Sequence, residues 1–163
     1  MCKLKQQKAL AYIPAFDFMT TEDLNELLAS CEDMEDIILL SKQHGCLQGL
    51  FIRLRSCLTL FVLTLSTYEQ LEKVTQTVKD FSALINHNEE EFLSLSLDEI
   101  LLIEGFIFNI ERWLKALFIE GGVSLDFMDD SLQSDFETIS MFVRSGEASG
   151  LCEEENLEAI FDF

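Results

Sequence analysis

The residues from Ser96 to Gly122 constrain the fold most, because they carry the start, the apolar body and the end of one long helix. Ser96 and Glu99 have the Ser-x-x-Glu spacing of a capping box, in which each side chain satisfies an unpaired backbone N–H. Apolar residues then recur every three or four positions and share one helix face. These residues are Ile100, Ile103, Ile107, Ile110, Leu114 and Leu117.

A second apolar stripe, formed by Leu102, Phe106 and Trp113, lies beside the first. Gly121 and Gly122 follow, and glycine readily adopts the left-handed conformation that ends helices. A helix that is apolar over so much of its circumference is usually buried among others. We therefore predict that this stretch is the central helix of an all-helical domain.

Composition supports that fold class. The chain has 163 residues, of which 48% are hydrophobic, so it is long enough for one domain with a sizeable core. Proline occurs once and glycine seven times, and so few helix breakers favour helices over strands and turns. The sequence predicts an all-α bundle of about five helices, with antiparallel neighbours joined by short turns.

Three parts are expected along the chain. Residues 1–19 form an N-terminal arm, in which Pro14 blocks a regular helix. Residues 20–144 form the helical bundle domain. Residues 145–163 form a flexible linker, rich in Gly and Ser up to Gly150, followed by an acidic and aromatic tail.

Within the bundle, the first helix is predicted to begin with a cap at Thr20 and Asp23, or at Thr21 alone. It either runs to about Gln43 or breaks near Cys31. Residues 46–87 fit either one bent helix or two, with a second capping box at Ser66 and Glu69 as the candidate start. An acidic connector or short helix follows at residues 89–95. A loop is expected at residues 123–128, and then Asp129 or Asp130 caps a last helix that ends at about Val143.

Charge restricts the classes of partner. The chain carries 30 acids and 11 bases, for a net charge of −19. Nucleic acid and anionic membrane surfaces are therefore not expected as partners, because binding phosphate needs a basic footprint. The charge-free run from Ser56 to Tyr68 has 13 residues, short of the about 20 that span a bilayer. We expect a buried core helix there.

Cysteine usage and the N-terminus point to the cytoplasm. The five cysteines form no C-x-x-C motif, and the first residues lack the apolar run of a secretory signal. Two histidines far apart and scattered cysteines give no zinc spacing. No P-loop, G-x-G-x-x-G, G-x-S-x-G or H-E-x-x-H motif occurs. The sequence predicts a non-enzyme without metal or cofactor.

His44 is the one candidate for group transfer. The segment His44-Gly-Cys-Leu-Gln-Gly49 is similar to the Leu-Lys-Gly pattern after the phosphorylated histidine of phosphotransfer domains, but it is one residue out of step. Gln48 stands where a lysine would help to hold phosphate. The simpler interpretation is a solvent-facing histidine at a helix end.

The tail is the best binding candidate. Leu157, Ile160, Phe161 and Phe163 are its predicted partner-binding residues, set among acids. Short segments of this kind dock in grooves as helices or strands. The alternative is a tail that folds back on its own domain, and the sequence does not separate docking in cis from docking in trans.

Four segments resemble helical domains of epsilon-class proteobacteria that occur beside or fused to two-component response regulators. The matching segments are Thr20-x-Glu-Asp-Leu-x-Glu-Leu27, Trp113-x-x-x-Leu117-Phe118, Asp129-Asp-Ser-Leu-x-Ser-Asp135 with Ile139, and the Leu-Glu-x-x-Phe ending. The chain departs from the pattern at Leu125-Asp-Phe-Met128, which has no histidine. The resemblance implies a non-catalytic signalling module and carries over no catalytic residue.

Together these observations predict a cytoplasmic protein-interaction or scaffold module in bacterial signalling that forms a homodimer. The expected partner is a response regulator or a basic client protein. Two alternatives remain open: a histidine phosphotransfer protein that uses His44, and an acidic chaperone for a basic client.

Overall fold

The computed structural model describes the backbone of residues 14–161 and the side chains of residues 14–143. This part of the chain forms six α-helices and no strand, which confirms the all-α bundle. The helices are α1 (Thr21–His44), α2 (Gln48–Leu65), α3 (Glu72–His87), α4 (Glu89–Leu93), α5 (Leu97–Lys115) and α6 (Leu125–Phe161). A 3-10 turn (Glu69–Leu71) precedes α3, and a π-helical turn (Ala116–Glu120) prolongs α5.

Helix α5 is the central helix, as its apolar pattern predicts. It packs most extensively against α1 and also along α6. Phe106 meets Phe81 of α3, with the ring centroids 4.6 Å apart. Both long neighbours are antiparallel to α5. Lys42 near the end of α1 pairs with Glu104 in the first half of α5, at 2.6 Å, and on the other side Trp113 pairs with Asp129, near the start of α6.

The ends of α5 follow from its predicted cap and stop residues. The Ser96 hydroxyl accepts a hydrogen bond from the backbone N–H of Glu99 at 3.3 Å. The Glu99 carboxylate accepts from the Ser96 hydroxyl at 3.0 Å, so the side chains pair with each other at this cap. At the other end, Gly121 has φ 73° and its N–H donates to the Ala116 carbonyl at 2.8 Å, which closes the wider π turn.

Helix α1 is unbroken from Thr21 to His44. The Thr20 hydroxyl caps it by accepting from the Asp23 N–H at 3.1 Å. Gly45, with φ 81°, ends it, and the Gly45 N–H donates to the Ser41 carbonyl at 2.8 Å. Both ends agree with the sequence prediction to within one residue.

Residues 46–87 form two helices, and the capping box predicted at Ser66 is wrong. Ser66 has helical backbone angles, and its hydroxyl donates to the Val62 carbonyl of the preceding turn at 2.7 Å. Ser66 therefore closes α2, because a serine in helical geometry is free to bond the carbonyl four residues earlier. Leu71 occupies the N-cap position of α3 and provides no side-chain hydrogen bond.

Helix α6 begins earlier and ends later than its pattern predicts. The loop expected at residues 123–128 is mostly helix, because Ser124 provides the cap and accepts from the Phe127 N–H at 3.2 Å. Asp129 and Asp130 lie inside the helix and are not caps. The helix also continues through residues 145–150, where a flexible linker was expected. A glycine in a helix costs only about 1 kcal/mol, and the glutamates and the alanine around Gly146 and Gly150 favour helix.

The N-terminal arm packs on its own domain in the part that the structure describes, from residue 14. The Phe16 N–H donates to the Leu117 carbonyl at 2.7 Å. The Phe18 ring meets Phe118 edge-on, with the centroids 5.2 Å apart. Met19 is buried in the core. Residues 1–13 of the predicted arm lie outside the described residues.

Candidate functional site

His44 is exposed and is the last residue of α1. A basic group near a helix C-terminus suits the helix dipole, which is the simpler of the two interpretations of this residue. Lys42, two residues earlier, is engaged by Glu104 at 2.6 Å. The phosphotransfer alternative therefore stays a prediction that nothing in this geometry favours.

The described residues contain no group of three or more His, Cys, Asp or Glu side chains arranged to hold a metal ion. Cys31, Cys46 and Cys57 are free thiols. Burial raises the pKa of each of them above its usual value. Because the thiolate is the reactive form, these three cysteines are poor nucleophiles.

Glu35 and Glu111 meet across the packed faces of α1 and α5, a pairing that sequence analysis did not identify. Burial, followed by a hydrogen bond with Glu111, raises the pKa of Glu35 to about 7. The same hydrogen bond, helped by Lys115, lowers the pKa of Glu111. Lys115 Nζ lies 2.7 Å from Glu111 Oε1. The two pKa values shift in opposite directions, so a single proton held by the pair lies mainly on Glu35.

Asp129 forms the second unusual carboxyl site. Its side chain is buried, with 4% of its surface exposed, and it accepts a hydrogen bond from Trp113 Nε1 at 3.2 Å. Burial raises the pKa of Asp129 to about 6, while the Trp113 N–H and the Lys73 charge act in the opposite direction. The hydrogen bond between Trp113 and Asp129 joins α6 to the centre of the bundle, so it stabilises the fold.

A cleft of about 460 Å³ lies beside the turn between α2 and α3. Its lining is mainly polar and includes the buried Thr75, whose hydroxyl has no hydrogen-bond partner. The cleft opens broadly to solvent. Small-molecule sites usually enclose most of their ligand, so this cleft is a weak candidate for one.

An exposed apolar line runs along α5 and is here called the α5 stripe. It consists of Leu97, Leu101 and Phe108, each between 45% and 56% exposed. Their spacing of four and seven residues places them on one face of the helix. Gly105 lies between Leu101 and Phe108, and no atom lies within 4 Å of where its Cβ would be. The central helix therefore leaves one face exposed while the rest packs among its neighbours.

Helix α2 leaves a second apolar surface uncovered, here called the α2 outer face. Its apolar members are Ile52, Leu60 and Leu63, each more than half exposed. Arg53 and Arg55 are exposed on the same helix, which contains no acid. The prediction of a buried core helix therefore holds for only one side of α2, which buries Leu50, Phe51, Leu54, Leu58, Phe61 and Leu65.

By length and composition alone, α2 is also the one helix in the described part of the chain that could cross a membrane. It has 18 residues and a mean hydropathy of 1.4. A core helix of a soluble protein passes the same test, and α2 directs six apolar side chains into the bundle.

The predicted partner-binding residues lie at the end of the chain. Leu157, Ile160 and Phe161 fall within the last turns of α6. Phe163 lies outside the described residues. Their role in binding stays a prediction.

Comparison with known proteins gives this chain no relatives. No family model, no curated protein and no solved structure matches it.

Proposed function

We propose that this chain is a non-catalytic protein-interaction module that binds a partner helix along the α5 stripe. The observation that carries the proposal is the alignment of Leu97, Leu101 and Phe108 on the outside of the central helix. Single exposed apolar residues are common, whereas several in line are typical of interaction sites. Spacings of four and seven residues match the way an amphipathic helix presents its anchors to another helix.

The charge of the molecule defines the chemistry of the partner. Acids outnumber bases 30 to 11, and Asp98 lies on α5 beside Leu97, the first residue of the stripe. A partner helix with an apolar face and basic flanks would be attracted by this field and aligned by it. In the bacterial signalling setting that the sequence resemblance implies, such a helix would belong to a response regulator.

A designed peptide tests the proposal without an identified partner. The probe is an amphipathic helix built from leucine and lysine, and titration calorimetry measures its binding to the full chain. We expect the double substitution Leu101→Ser and Phe108→Ser to weaken binding at least about tenfold, since each buried side chain of this size contributes about 1.5–3 kcal/mol.

The matched control is Phe127→Ser, which removes a more exposed aromatic residue (68%) from the start of α6. This variant should bind the peptide as the unmodified chain does. A peptide with glutamate in place of lysine should not bind. Equal binding by the stripe variant and the unmodified chain would show that attraction of opposite charges alone accounts for the complex, and the proposal would fail.

A further inference from the structure

The α2 outer face combines features that a single kind of partner would satisfy. Its exposed apolar side chains, Ile52, Leu60 and Leu63, would be covered by an apolar surface. The exposed Arg53 and Arg55 would pair with acids. In a chain of net charge −19, α2 stands apart because it has two bases and no acid.

The end of the chain has the complementary composition. Residues 151–163 contain five acids and no base. Their apolar members, Leu157, Ile160 and Phe161, are spaced three and four residues apart, as on one face of a helix. The segment therefore has both the acids and the apolar side chains that would complement the α2 outer face.

The course of α6 argues that this contact forms between two molecules. The helix is continuous from Leu125 to Phe161, and it packs on α3, α4 and α5. For residues 151–161 to turn back onto α2 of the same chain, this helix would have to break. A second copy can present its own α2 outer face without such a break.

We propose that residues 151–163 dock on the α2 outer face of a second copy, so that two chains exchange tails in a symmetric dimer. Each tail supplies acids to Arg53 and Arg55 of the other copy and covers Leu60 and Leu63. A twofold arrangement uses both tails and both faces and so closes on itself. This assembly uses a surface distinct from the α5 stripe and stands independently of the function proposed above.

Light scattering on the full chain tests the exchange, because the dimer has twice the 18.7 kDa of one chain. We expect a dimer for the unmodified protein. Deletion of residues 151–163 should give a monomer, as should the pair Arg53→Glu and Arg55→Glu. Reversing the tail by Glu153→Lys, Glu154→Lys and Glu155→Lys should also give a monomer. Combining both reversals should restore the dimer, because lysines on the tail then face glutamates on the α2 outer face.

Circular dichroism on each variant separates loss of assembly from loss of folding, and the α5 stripe variant serves as a control that should stay dimeric. A monomeric unmodified chain would overturn the inference, as would a dimer that persists without the tail. Failure of the combined reversal to restore a folded dimer would do the same. If the unmodified chain were a monomer that sediments with phosphatidylglycerol vesicles, and if this sedimentation required Arg53 and Arg55, the α2 outer face would be a lipid-binding surface instead.

Discussion

Trp113 both packs in the core and forms a buried hydrogen bond. Its ring is 0% exposed at the centre of the bundle, and its N–H meets the buried Asp129. The spacing of apolar residues predicts its burial, since Trp113 lies on a stripe of α5 with Phe106. The partner could not be predicted in the same way. Asp129 is 16 residues away in sequence, and an aspartate near a helix start has the appearance of a cap.

Substitution of Trp113 by alanine should lower the free energy of unfolding by about 3–5 kcal/mol, because it leaves a large cavity in the core. Urea unfolding followed by circular dichroism measures the change. The control is Phe108→Ala, which shortens a half-exposed aromatic residue of the same helix and should cost far less. If the two variants were equally stable, Trp113 would not be the centre of the packing.

Asp129→Asn should stabilise the protein at pH 8 by about 2 kcal/mol and have little effect at pH 4. The pKa of Asp129 is raised from 3.8 to about 6, so the folded state holds a proton that the unfolded state has released between those values. The stability of the unmodified protein therefore falls as the pH rises through this window. Asparagine keeps an oxygen that accepts from Trp113 and does not ionise.

Urea unfolding at several pH values checks this prediction. Glu137→Gln, at an exposed position on the same helix, is the control and should leave the pH profile of the unmodified protein unchanged. A profile for Asp129→Asn that ran parallel to that of the unmodified protein would place the titrating group elsewhere.

At the scale of helices, ends marked by a cap and a glycine were predictable, whereas a cap residue alone was not decisive. Thr20 with Gly45 bound α1, and Ser96 with Gly121 bound α5. Ser66 has the capping-box spacing but closes α2, because its backbone angles are helical. The candidate surfaces could not be predicted either. Periodicity identifies the apolar faces of a helix, but it does not say which of these faces the neighbouring helices leave uncovered.

Thr20→Ala should lower the free energy of unfolding by about 1 kcal/mol, because it leaves the Asp23 N–H without its hydroxyl acceptor. Thermal or urea unfolding measures this cost. Thr21→Ala is the matched control, since Thr21 is exposed within the first turn and makes no capping bond in the structure. A larger loss in Thr21→Ala than in Thr20→Ala would contradict the observed start of α1.

The interface between α1 and α5 should weaken as the pH rises from 4.5 to about 7. The pKa of Glu35 is raised from 4.5 to about 7, so the folded state retains this proton over a range where the unfolded state loses it. Stability falls through that window as two neighbouring carboxylates become charged. The lowered pKa of Glu111 acts in the opposite direction, because ionised Glu111 is stabilised in the fold.

Glu35→Gln should remove this loss and make the protein more stable than the unmodified chain at pH 8. The check is a series of melting temperatures from pH 5 to pH 8. Glu26→Gln, at an exposed position on the same helix, should follow the unmodified profile. Identical slopes for Glu35→Gln and the unmodified protein would exclude Glu35 as the group responsible.

For the whole molecule, the all-α bundle was predictable from composition and periodicity, because few breakers and many repeated apolar positions leave few other ways to bury the side chains. The charge of −19 adds a further consequence. Compact folding brings like charges together, and added salt screens them over a Debye length of about 8 Å at physiological ionic strength.

The melting temperature should therefore rise as sodium chloride is increased from about 10 to 150 mM. Scanning calorimetry measures the shift, and potassium chloride should give the same result because the effect is one of screening. A flat or falling melting temperature would mean that favourable ion pairs outweigh the repulsion among the acids.

The contact of Phe16 with Leu117 joins two points of the chain that are 101 residues apart. On the ribosome, the first of these residues emerges long before the second exists. At a synthesis rate of 5–20 residues per second, the wait is about 5–20 s. Throughout that interval Phe16 and Phe18 lack their final docking site, so a nascent chain carries two uncovered phenylalanines until the π-helical turn after α5 has been made.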